Sequence, residues 1–390
     1  MLDKKVLIIT ITGGENYGNK LQNYAMQEIL KKEFTNIETL NNVTNVGNIK
    51  HSYNNVSIKK KLTIRYVIKR IYLHFNYNYN IKNTGDGVFN MIKNIIFKNK
   101  IEKIISKRKQ SFQLFCDHNI RFTNYKVDFL ESKKISLNNY DYFVIGSDQV
   151  WNPNYLRTSS IDFAAFKRNG IAVALAASFG ISEISTETAN QIKPWIDRIS
   201  YLSVREEAGK KILNQISNKE VDILCDPTMA LDICEWKKIE KRPKKSIEKK
   251  YILTYFLGNK TREYTKFTKN LAKKNQCEII NLWDINSPNF YDIGPDEFLW
   301  LIDNSEYVLT DSFHAVVFSI IFKKKFIVFK RVEDGKSMNS RIETLLNKFN
   351  LYERMYDGKN WDDKEIVYDE NILNFEKNKF LNAVKQIKNL

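Results

Sequence analysis

The chain has 390 residues, 43% of them hydrophobic and 13% aromatic, and a formal net charge of +17. That length exceeds one ordinary core and points to two domains, while the apolar and aromatic content excludes general disorder. No apolar run approaches the roughly 20 residues that span a bilayer, and the short first run has the wrong shape for a signal peptide, so a cytoplasmic protein, or one peripheral to the inner face of the membrane, is expected.

Lys5–Thr10 reads as a first buried strand, followed by a glycine-containing loop and a helix from Asn19 to Lys32. Beyond a basic helical insert at about 50–120, strands are predicted at Tyr142–Ile145, Ile171–Ala176, Ile199–Val204 and Val221–Leu224, with helices near Ala189–Ile196 and Glu206–Asn214. The charge run Lys237–Lys245 marks a linker at 234–250. A second alternation follows: strands Tyr251–Phe256, Glu278–Leu282, Tyr307–Thr310 and Phe326–Phe329, and helices Thr261–Lys274, Pro295–Asn304, His314–Phe322 and Ser340–Phe349. Near-continuous apolar strands separated by helices predict parallel sheets covered on both faces. The fold class is therefore α/β, with two doubly wound Rossmann-like domains at 1–233 and 251–369 facing across a cleft. A last helix, within 370–390, is expected to pack back on the first domain.

In such folds ligands sit beyond the carboxyl ends of the strands, which directs attention to five polar corners. Asn16, Asn19, Lys20 and Gln22, after the first strand, offer neutral donors and acceptors plus one cation, suited to a hydroxyl-rich ligand or to a plain helix start. Asp148, Gln149 and Trp151 join a carboxylate, an amide and an indole, a set that holds a sugar or else forms a capped turn over core. Arg205 emerges at a strand tip, where it can grip a carboxylate or phosphate, or pair with Glu206 or Glu207. Asp226-Pro227-Thr228-Met229 reads as an ordinary turn. In the fifth corner, Asp311 or Ser312 can cap the helix that His314 opens, an anion-attracting end beside a titratable ring, and Arg341 is a candidate second anion ligand.

Four scattered cysteines without C-x-x-C spacing, and histidines without ligand-pair spacing, argue against disulfides and against a bound metal. Between Ile58 and Gln110 fourteen basic residues face two acids. Such a stretch suits a solvated face, an anionic membrane surface or a nucleic-acid backbone, and no nucleic-acid-binding motif accompanies it.

The ordered set Asn16–Ala25, Gly146–Asn152, Ser203–Glu206, Asp226-Pro227, Thr310–His314 and Ser340-Arg341 resembles the polysaccharide pyruvyl transferase family, from about residue 6 to about residue 350. Ala315 departs from it, standing where the family commonly has glycine. The resemblance implies a fold similar to the B-type glycosyltransferases, with the acceptor on the first domain and the donor on the second. Phosphoenolpyruvate would be the co-substrate, with no further cofactor, and a glycan or lipid-linked oligosaccharide would receive a pyruvate ketal. On this basis His314 and Asp148 are the expected catalytic acid/base groups, and Arg205, Arg341, Ser312 and Asp311 the expected donor-binding groups. Asn16, Asn19, Lys20, Gln22, Gln149 and Trp151 are expected on the acceptor. The competing expectations are a metal-independent nucleotide-sugar glycosyltransferase on the same fold, and a non-catalytic scaffold on membranes or nucleic acid.

Overall fold

A computed structural model of the protein describes residues 2–43, 87–127, 139–155, 158–258, 260–284, 288–331, 340–358 and 364–390. The first part of the basic insert, 50–86, lies outside the described residues. Its remainder begins a long helix, Gly87–Asn119.

Seven parallel strands form the first sheet in the order β3-β2-β1-β4-β5-β6-β7. They are β1 (Leu2–Ile9), β2 (Phe34–Asn42), β3 (Phe122–Val127), β4 (Tyr142–Ile145), β5 (Ile171–Ala177), β6 (Tyr201–Val204) and β7 (Val221–Ile223). The second sheet is also parallel, in the order β11-β10-β8-β9, from β8 (Tyr251–Tyr255), β9 (Glu278–Asn281), β10 (Tyr307–Thr310) and β11 (Lys325–Val328). The α/β class and the two Rossmann-like parallel sheets thus follow from topology. In the first sheet the order reverses between β1 and β4, in the second between β8 and β10. Connections there diverge to opposite faces and leave a crevice at the carboxyl ends of the strands.

Two strands, β2 and β3, have no counterpart among the predicted elements. Their sequences are interrupted by polar residues, and tertiary partners make the burial of those residues tolerable. The Thr39 hydroxyl accepts from Gln27 Nε2 at 2.8 Å and donates to Asn23 Oδ1 at 2.7 Å, and Glu38 accepts from the Tyr140 hydroxyl. The segment read as a linker also differs, because it opens with the helix Ile233–Ile239, whose Trp236 is fully buried. Lys237 and Lys238 are exposed on that helix and the other charges follow its end, so the charge run hid an anchored element.

One apolar cluster runs through both sheets, joining Val6, Ile8 and Val144 of the first to Leu253, Val308 and Val328 of the second. Helix α1 (Tyr17–Leu30) and the helix Phe313–Ile321 meet in it, and every residue of the latter is buried. A helix apolar on all sides belongs between layers. The terminal helix Glu370–Ile387 packs Phe380, Val384 and Ile387 into the same cluster. Its end returns to the first sheet, where the Tyr142 hydroxyl donates to Lys388 O at 3.2 Å.

Candidate active site

The ends of β1 and β4 face the ends of β8 and β10 across a cavity of about 200 Å³. Ile11, Asn16, Asn19, Asp148, Gln149 and Tyr155 line one side. Leu257, Ser312, Phe313, His314, Arg331 and Arg341 line the other.

On the first side, Asn16 caps α1 by accepting from Asn19 N at 3.3 Å, which leaves both amides at the cavity. Lys20 and Gln22 do not reach it. Gln22 is fully buried and donates to the Thr10 hydroxyl at 2.8 Å, and the Lys20 ammonium donates to Thr12 O. Helical periodicity turns these two side chains back under the loop they follow, so they shape the corner instead of meeting a ligand.

Trp151 is likewise no sugar platform. It is 1% exposed, stacked on Phe163 at 5.4 Å with an interplanar angle of 3°, and its indole N–H donates to Asp162 O at 3.0 Å. The apolar demand of the layer behind β4 took the ring. Asp148 does reach the cavity, with φ 66, the left-handed region that a non-glycine residue seldom occupies.

Behind Asp148 lies a buried ionic cluster. Arg205 donates from Nη2 to Asp148 Oδ1 at 3.2 Å and from Nη1 to Asp226 Oδ2 at 2.5 Å, and its guanidinium sits 4.5 Å from the Phe313 ring. Asp226 further accepts from the Ser147 hydroxyl at 3.0 Å and from Thr228 N and Oγ1 at 3.0 and 2.7 Å. Burial alone would raise both carboxyl pKa values. For Asp226 the His314 ring and then Arg205 override burial and hold it far below the ordinary carboxylate range. For Asp148 the charges of Arg205, His314 and Arg341 do so. The surrounding cations thus favour the ionised form of Asp148. Arg205 does not line the cavity, and its charge is already shared by two carboxylates. The expectation of a donor clamp does not suit it.

The second side carries less compensated charge. Arg341 reaches across to the first sheet, with Nη1 3.8 Å from Asp148 Oδ1. With the Gln149 amide turned so that its oxygen faces the guanidinium, that oxygen accepts from Nη2 at 2.8 Å and Nη1 at 3.2 Å. Burial and then repulsion from Arg205 lower the Arg341 pKa, with Asp148 opposing only in part. A buried guanidinium in that state favours an added anion. Arg331, which the sequence reading did not single out, also lines the cavity, its Nε 3.5 Å from Asp311 Oδ2. Its position at the end of β11, by the opening of the second crevice, was the signal available.

Asp311 itself turns away, contrary to its expected donor contact: its carboxylate accepts from Leu257 N at 2.7 Å and Gly258 N at 2.8 Å. Ser312 begins the helix Phe313–Ile321 without a side-chain cap, so the first-turn N–H groups face the cavity side unclaimed by that hydroxyl. His314 is 6% exposed, lines the cavity, and has Nε2 3.6 Å from Asp226 Oδ2, just beyond a hydrogen bond. Asp226, expected to be a plain turn, is thus the hub of the cluster, a role invisible without its partners.

The profile of the polysaccharide pyruvyl transferase family matches residues 16–331. The chain belongs to that family. No curated protein matches it. Among solved structures it is similar to UDP-GlcNAc 2-epimerase from Methanocaldococcus jannaschii, at 12% identity and TM-score 0.44, over 97% of this chain and 93% of that one. UDP-GlcNAc 2-epimerase from Neisseria meningitidis gives 12% and 0.40, over 99% and 94%. The Escherichia coli ADP-heptose heptosyltransferase II gives 9% and 0.32, over 99% and 100%. Among the described residues no group of acidic, histidine or cysteine side chains could hold a metal, and no described helix is long and apolar enough to cross a membrane.

Proposed function

We propose that this family member transfers pyruvyl from phosphoenolpyruvate to two hydroxyls of a glycan or lipid-linked sugar, forming a ketal. The observation that carries the reading is the two-sided cavity, with Arg331, Arg341, Ser312 and His314 facing the neutral amides of Asn16, Asn19 and Gln149. Arginine forks, a helix N-terminus and an imidazole suit a small dianion that must accept a proton, while amides suit sugar hydroxyls. The volume of about 200 Å³ lies below the about 300–1,000 Å³ usual for pockets that bury drug-sized ligands, which suits a donor as small as a three-carbon phosphate.

In this mechanism Arg341 and Arg331 hold the donor's carboxylate and phosphate. His314 delivers a proton to the methylene carbon, and the electron-poor neighbouring carbon accepts the oxygen of the first sugar hydroxyl. The bond from that carbon to the phosphate oxygen breaks, and inorganic phosphate leaves. The second hydroxyl then closes the ketal. Of the two hydroxyl protons released, one balances the proton now on carbon and the other leaves with phosphate. Asp148, kept anionic, accepts a hydrogen bond from an acceptor hydroxyl and orients it.

The basic residues between Ile58 and Gln110, apart from Arg108, which is buried against Tyr17 and Tyr291, support an encounter with an anionic membrane surface that carries a lipid-linked acceptor. Incubating the protein with phosphoenolpyruvate or nucleotide sugars, plus candidate glycans, tests the reading. Phosphate release together with a pyruvyl mass increment on the glycan is expected. Release of nucleoside diphosphate, with phosphoenolpyruvate left intact, would overturn it.

A further inference from the structure

His314 comes from the second sheet, yet the seat of its ring is set by residues of the first domain. Its Nε2 is buried, has no hydrogen-bond partner among the described residues, and faces Asp226 Oδ2 at 3.6 Å. Its Nδ1 lies over Gly18 in the first turn of α1. A Cβ built on Gly18 would fall 2.0 Å from Nδ1 and 2.3 Å from Cγ, closer than any real contact, so only a glycine leaves room for the ring where it sits. Asn16 and Asn19, the residues flanking this turn at the cavity, lie on the same side.

Asp226 cannot itself meet a ligand. Its side chain is 1% exposed, Oδ1 is taken by Thr228, and Oδ2 by Ser147 and Arg205. Those bonds fix the carboxylate's orientation and leave one oxygen beside Nε2. A carboxylate that orients an imidazole selects which nitrogen carries the proton in the neutral ring.

We propose that Asp226 and Gly18 are positioning residues for His314: Asp226 holds the proton on Nε2, which leaves Nδ1 as the nitrogen that works on substrate, and Gly18 makes the room that lets the ring sit in that orientation. The imidazole is thus completed only where the ends of the two sheets meet. This deepens the reading given under Proposed function, but the tautomer is observable without any substrate, so the two can fail separately.

Long-range proton–nitrogen correlation spectra of the substrate-free protein, at a pH where the ring is neutral, read the tautomer directly, with His314→Gln assigning the signals. The unmodified protein is expected to show the Nε2–H form for His314, and the Nδ1–H form would overturn the proposal without any variant being needed. Asp226→Asn is expected to mix the tautomers or reverse them, and an unchanged spectrum in the folded variant would also overturn it. If phosphoenolpyruvate is the donor, Gly18→Ala lowers kcat at least tenfold with the donor KM changed much less, and adds nothing in the His314→Gln background. Additive losses in that pair would count against the contact.

Discussion

The two sides of the cavity handle positive charge in opposite ways. On the first sheet Arg205 is locked between Asp148 and Asp226, and its pKa is raised because those carboxylates outweigh the cost of burial. On the second side Arg341 is just as buried, but desolvation and its neighbour Arg205 lower its pKa. One arginine is satisfied by the protein, and the other is left with charge to share. A conspicuous arginine at a strand tip is therefore not automatically a ligand clamp: the number of carboxylates around it decides.

The widest separation between the two sides is expected from His314→Gln, which should cut turnover by about 10²–10⁴-fold while the protein still folds. Near-normal product formation would remove the ring from the chemistry. Arg205→Ala should act on the fold instead, costing about 3–5 kcal/mol in denaturant unfolding because two buried carboxylates lose their counter-charge. A stable Arg205→Ala protein with only a raised donor KM would invert the comparison. Arg341→Ala should leave stability nearly unchanged and weaken the donor by about 1.5–3 kcal/mol, read as KM or as competition by a donor analogue.

The carboxylates allow a pH test of the same contrast. Asp148 and Asp226 have pKa values lowered in the folded state, so the stability they contribute is present above their unfolded values, near pH 4, and is lost as pH falls through the folded ones. Unfolding free energy should drop steeply below about pH 4, and less steeply in Asp226→Asn. Equal slopes would place the charge coupling elsewhere. The smallest effect is predicted for Trp151→Phe, a stability loss of about 1–2 kcal/mol from the lost hydrogen bond and packing, with the acceptor KM unchanged. A large rise in acceptor KM would return the indole to the site.

Period and punctuation in the sequence determined the alternating strands and helices and the ordered motif corners at the strand ends. These are local properties of backbone geometry, and the apolar runs Tyr142–Ile145 and Tyr307–Thr310 declare them without help. Strands β2 and β3 stayed hidden because their polar residues become affordable only through partners outside the strands, such as Gln27 and Tyr140, 12 and 102 residues from the groups they satisfy. Which motif residues meet the cavity was likewise decided by tertiary structure alone. Trp151, Lys20, Gln22 and Asp311 carry the right functional groups, but ring packing, the Thr12 carbonyl, the Thr10 hydroxyl and the Leu257 N–H respectively claimed them first. Asp226 moved from turn to hub by the same rule: a buried charge takes its meaning from what surrounds it, and Arg205 and His314 reach it from 21 and 88 residues along the chain.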